Sequence, residues 1–106
     1  MISKVIVRPE AEADLGGAYR WYEERCPGLG SDFLLSFEAS LFAIQRYPEA
    51  YPIVHKQVRR ALIRRFPYGV FYINEEKRIA IIAVMHAGRN PVKWKQRSKL
   101  SLARMP

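Results

Sequence analysis

A chain of 106 residues, 49% of them hydrophobic and 26% charged, can bury one modest core and is too apolar to remain disordered, so it is read as a single folded unit. It has no run near the roughly 18 uncharged apolar residues of a membrane span, and no basic N-terminal stretch leading into an apolar run and cleavage site, so a soluble, cytoplasmic protein is expected. Its net charge of +8 is unevenly placed: residues 1–50 hold five basic and eight acidic side chains (−3), whereas residues 51–106 hold thirteen and two (+11), which points the second half toward nucleic acid or an acidic protein segment.

Residues 2–7 contain Val5, Ile6 and Val7 and stop at Arg8-Pro9, a short strand ended by proline. Pro9 suits the first turn of a helix, where its missing N–H is not needed, and Glu10, Glu12 and Asp14 favour the positive end of the helix dipole. Ala11, Leu15, Ala18 and Tyr22 recur at helical spacing, which predicts a helix over 9–25 with Trp21 on its flank. Gly16 and Gly17 each lower its intrinsic propensity by roughly 1 kcal/mol relative to alanine and suggest close packing or a soft point. Cys26-Pro27-Gly28-Leu29-Gly30 breaks that helix, and Ser31 or Asp32 is the natural cap of the next. Leu34, Phe37, Leu41 and Ile44 then mark a second amphipathic helix that ends before Pro48. Tyr47-Pro48-Glu49-Ala50-Tyr51-Pro52 reads as a connection to His55 and Lys56.

Three β-prone runs follow, over 58–66, 70–73 and 79–85, separated by Pro67-Tyr68-Gly69 and by Asn74-Glu75-Glu76-Lys77. They read as an antiparallel meander. Strand alternation puts Arg60, Leu62 and Arg64 on one face of the first run and Arg59, Ala61, Ile63 and Arg65 on the other, and so charged a strand is expected at a sheet edge. The run over 79–85 is apolar on both faces, so it is expected to be central or covered on both sides. The helical hairpin must bury its apolar faces, and the meander is the available cover. The expected fold is therefore α+β: strand, helical hairpin, then a three-stranded antiparallel meander, in one domain over 1–97 with a patternless tail over 98–106.

Glycine-rich phosphate loops, nucleophile elbows and paired carboxylates in the basic half are absent from the sequence. The lone Cys26 has no disulfide partner and no second cysteine with which to build a zinc cluster around His55 and His86, so neither metal nor cofactor is expected. The chemistry that remains is cationic. His86 ends the last strand and precedes Arg89 in His86-Ala87-Gly88-Arg89-Asn90-Pro91, where a histidine beside a fixed guanidinium suits proton transfer next to a phosphate clamp. A backbone-bonded strand-end histidine fits the same residues equally well. Trp94 reads more readily as a core or rim anchor than as a platform for base stacking. Arg59, Arg60, Arg64, Arg65, Arg89, Lys93 and Trp94 form the candidate target- or nucleic-acid-binding set.

Ala18-x-x-Trp21-Tyr22, Gly28-Leu29-Gly30-x-x-Phe33-Leu34, Pro48-x-x-Tyr51-Pro52, Arg59-Arg60-Ala61-Leu62 with Arg65-Phe66-Pro67-Tyr68 and Tyr72, and His86-x-x-Arg89-x-Pro91-x-x-Trp94 occur in that order. Together they resemble the RelE/ParE superfamily of toxins from bacterial type II toxin–antitoxin systems. The resemblance implies a two-layer strand, hairpin and meander fold, a growth-inhibiting role and a cognate antitoxin, small and acidic, as partner. It implies either of two targets. For ribosome-dependent cleavage of messenger RNA the catalytic set would be His86, Arg89 and Arg60; for ParE-like inhibition of DNA gyrase no hydrolytic set is needed. Leu62 stands where the nuclease branch would place a second basic residue, Gly69 follows Tyr68 where it would place an arginine, and no tyrosine occurs after Tyr72, so the resemblance favours the gyrase branch. A non-toxic module that binds nucleic acid or an antitoxin is the alternative of another class.

Overall fold

The computed structural model describes residues 4–89 and 91–103. Its elements run β1 (Lys4–Val7), α1 (Pro9–Arg25), α2 (Leu29–Arg46), β2 (Ile53–His55), β3 (Val58–Leu62), β4 (Tyr68–Glu75), β5 (Arg78–His86) and α3 (Pro91–Ala103). The strands form one sheet in the order β1-β5-β4-β3-β2, with β1 parallel to β5 and the other neighbours antiparallel. The strand, hairpin and meander expected from the sequence are all present. No described helix is long and apolar enough to cross a membrane.

The hairpin α1–α2 covers one face of the sheet. Ala11, Ala18 and Tyr22 of α1 and Phe33, Phe37 and Ile44 of α2 pack on Ala61, Val70, Tyr72, Ile79, Ile81 and Val84. Between the helices and the sheet end, Tyr22, Phe33, Phe66 and Tyr68 stack and meet edge-on with centroids 4.9–5.9 Å apart, which accounts for the aromatic spacing of the sequence by packing. A bulge lies where Phe71 pairs with Ala83 but Tyr72 pairs with Ile81, so Ile82 and Ala83 both face the other side of the sheet. There they join Val58, Phe71, Ile73 and Met85 under Trp94 of α3, whose indole stacks on Phe71 at 4.5 Å. Covered by helices on both faces, β5 has a reason to be apolar throughout.

Three local expectations are corrected and a fourth, at Gly17, is narrowed. β3 lies one strand in from the edge, because the three-residue β2, hidden in the sequence by its brevity and by Pro52, takes the edge. The N-terminus of α2 is capped neither by Ser31 nor by Asp32: the helix starts at Leu29 behind Gly28, whose φ of 92° is left-handed. The Glu23 carboxylate of α1 accepts the N–H groups of Gly28 and Gly30 at 3.0–3.1 Å instead. Gly17 is not packed closely, since a Cβ there would meet nothing within 4 Å. Finally, the backbone of α3 continues through the start of the expected tail to Ala103, with Ser98 buried and its hydroxyl donating to Lys95 O at 2.7 Å. Residues 104–106 of that tail lie outside the described residues.

Candidate target- and partner-binding site

β5 has nine residues, but β1 pairs only with residues 78–81, and the ladder ends where Arg8 N donates to Ile81 O at 2.9 Å. Beyond that point side chains satisfy the strand edge. Asp14 of α1 accepts Val84 N at 3.0 Å, and Arg97 of α3 donates to Ile82 O at 3.2 Å. Arg97 also grips Asp14 with both guanidinium nitrogens, at 2.5 and 3.1 Å, tying α3 to α1 across the end of β5.

Next to this strap opens a cleft of about 460 Å³, lined among others by Gly17, Trp21, Tyr68, His86, Arg89 and Lys93. Trp21 is 48% exposed and carries the Arg25 guanidinium 3.4 Å above its ring. His86 Nδ1 accepts the N–H of Gly88 at 3.3 Å, which leaves the proton of a neutral ring on Nε2. Tyr22, behind the cleft, has its phenol pKa raised by burial and then by Tyr68. A cationic rim around exposed aromatic surface suits an acidic segment with apolar residues.

On the other side of the sheet a second cleft, about 250 Å³, is lined by Val54, Arg60, Gly88, Arg89, Trp94 and Lys95. His55 sits at its margin with its ring centroid 6.1 Å from that of Trp94, and its pKa is lowered by desolvation and by Lys95 and Lys56. Arg89 lines both clefts.

The candidate residues thus part company. His86 and Tyr68 belong to the hairpin face of the sheet, whereas Arg60 shares the α3 face with Val58, so the three residues expected to act as a nuclease are split by the sheet between them. Arg59 donates from one guanidinium nitrogen to Tyr51 O at 2.7 Å and Glu49 O at 3.2 Å and so clamps the chain ahead of β2. Trp94, 5% exposed, packs in the core. Arg64 and Arg65 line a third groove beside Leu35 of α2, where Arg65 lies 4.0 Å from Asp32 with both side chains well exposed, a contact of little energetic weight. Lys93 and Arg89 stay at the first cleft. Sequence reasoning missed Trp21, Tyr68 and Lys95 as site residues. Lys95 lies one position from Trp94 on α3, where neighbouring side chains do not share a face, so helical phase did not mark it.

A helical hairpin on a five-stranded sheet, with a cationic, aromatic end, defines the RelE/ParE class of toxin domains. The family model described as "ParE toxin of type II toxin-antitoxin system, parDE" matches residues 5–91, and the chain belongs to that family. Among solved structures, a chain titled "Chromosomal ParDE TA system from P. aeruginosa" is similar with a TM-score of 0.72 and 18% sequence identity, over 80% of this chain and 96% of that one. No curated protein sequence matches. The protein is the toxin component of a type II toxin–antitoxin system.

Proposed function

We propose that this toxin arrests growth in the cytoplasm by inhibiting DNA gyrase, and that a small acidic antitoxin holds it inactive by occupying the cleft between α1, β5 and α3. The observation that carries the choice of target is the division of the would-be nuclease residues. Cutting RNA at one phosphate needs the proton-transfer group and the charge-stabilising cations within hydrogen-bond reach of the same atoms. Here His86 and Arg60 face opposite ways. Leu62, 60% exposed, and Gly69 stand where the resemblance to the nuclease branch would place further cations. Inhibition of a protein target asks only for a surface. The rim of Arg89, Lys93 and His86 around Trp21 supports the acidic antitoxin, as does the family's pairing of toxin with antitoxin.

The purified chain should abolish supercoiling by gyrase and leave cleaved DNA behind, while messenger RNA on translating ribosomes stays intact. Ribosome-dependent transcript cuts with normal supercoiling would move the protein to the nuclease branch; no effect in either assay by folded protein would make it a non-toxic binding module.

A further inference from the structure

The outward side of α2 carries an ordered row of side chains. Asp32, Leu35, Ala39, Phe42 and Arg46 follow one another at steps of three, four, three and four residues, so they line up along one side of the helix, and all five are exposed. The core takes the opposite side through Phe33, Phe37 and Ile44. Leu35 is 64% exposed and Phe42 72%, more than any other large apolar side chain among the described residues. One exposed leucine is ordinary, but here two large apolar groups stand on either side of a small one, with a carboxylate at one end and a guanidinium at the other. Grooves of about 340 and 300 Å³ flank the row, the first beside Leu35 and Ala39 and the second beside Leu41 and Phe42. They offer the ridges of a second helix a place to seat.

The row is its own complement. Turned end for end, it sets Asp32 against Arg46, Leu35 against Phe42 and Ala39 against itself. We infer that α2 is the interface of a homodimer, in which the α2 helices of two copies cross antiparallel about a two-fold axis at Ala39. The small side chain lets the helices approach at the axis, the large ones pack on either side of it, and an Asp32–Arg46 pair closes each end. Charge favours a second copy as the occupant: residues 1–50, which hold the row, sum to −3, so the copies meet through the half of the chain that does not carry the +11. Glu38, on the wall of the groove beside Phe42, comes near its own copy, and Arg64 and Arg65 line the other groove. These like charges, and the small area of a single helix pair, keep the association weak. No residue of the row lines either of the clefts at the ends of β5 and α3, so each copy keeps both free whatever its target.

The test is sedimentation velocity of the full chain from micromolar to submillimolar concentration, with circular dichroism to verify the fold of each variant. The wild type should pass from monomer to dimer across that range. Phe42→Ala removes an exposed side chain and should raise the dissociation constant about tenfold or more while leaving the fold intact. Asp32→Arg and Arg46→Asp each set like charges against one another and should each weaken the dimer, whereas the double variant, with the two signs exchanged, should regain most of the affinity. Glu76→Arg, a charge reversal in the exposed turn between β4 and β5, is the control and should change the constant less than about twofold. The inference is overturned if the wild type stays monomeric throughout, which would give the row to a different partner. A dimer indifferent to Phe42→Ala overturns it too, because the contact then lies elsewhere, and so does a double variant no tighter than the single reversals, because the helices then do not pair end to end.

Discussion

Single residues tie the irregular chain between α2 and β3 to the sheet. Tyr72 is fully buried and donates its hydroxyl to Pro48 O at 2.7 Å, while Arg59 holds Tyr51 O from the neighbouring position. Burial pushes the Tyr72 pKa up to about 12; the Arg59 guanidinium opposes that rise and Tyr51 adds to it. A phenol whose folded pKa lies above its ordinary value of 10 gives stability that is complete below pH 10 and lost as pH rises toward 12. Chemical denaturation should therefore show the wild type weakening across that window and Tyr72→Phe weakening less. At neutral pH the variant should be less stable by about 1 kcal/mol, the net worth of one hydrogen bond. The sequence marked Tyr72 as a member of a pattern; that its hydroxyl reaches across 24 residues to Pro48 depended on the sheet being formed.

At the scale of elements, the join between α1 and α2 rests on one carboxylate and two glycines with different duties. Gly28 supplies the left-handed turn, and Gly30 lets the helices approach so closely that a Cβ would lie 2.7 Å from Tyr19 O. Glu23 then serves as the cap that α2 lacks in its own sequence. Glu23→Ala should cost about 1–2 kcal/mol, in the range of lost helix caps, and hydrogen exchange should speed up first at the amides of Gly28 and Gly30. Protection unchanged at those two amides would show that the carboxylate is dispensable. Both helices were legible because apolar residues recur every three or four positions. The cap was not, since a side chain reaching back from the preceding helix has no local signature.

Across the whole molecule, α3 is fastened at two places, by Trp94 on Phe71 and by Arg97 on Asp14. The ion pair is mostly buried, with its side chains 18% and 15% exposed, and it also satisfies Val84 N and Ile82 O of β5. Removing either partner strands the other beside the open strand edge. Arg97→Ala should destabilise the fold by about 1–3 kcal/mol, the range for an unsatisfied buried polar group, and the double variant Asp14→Asn with Arg97→Ala should lose less than the two single changes added together. Strict additivity in denaturant unfolding would mean that the strap carries no coupling. Because α3 also contributes Lys93 and Lys95 to the two clefts, this strap fixes the geometry of both.

The residues in order, read without coordinates, determined the α+β class, the helical hairpin, the apolar last strand and the likeness to RelE/ParE toxins. Those features live in periodicity and in short spacings along the chain. Only the tertiary structure decided which cations act together. Side chains on neighbouring strands share a face or are parted by the sheet according to register, bulge and crossover, and a single strand's alternation is silent on all three. Arg59 became a loop clamp, Arg60 and Lys95 met across the α3 face, and His86 was left on the opposite face, because pairing between residues distant in sequence set each one's direction.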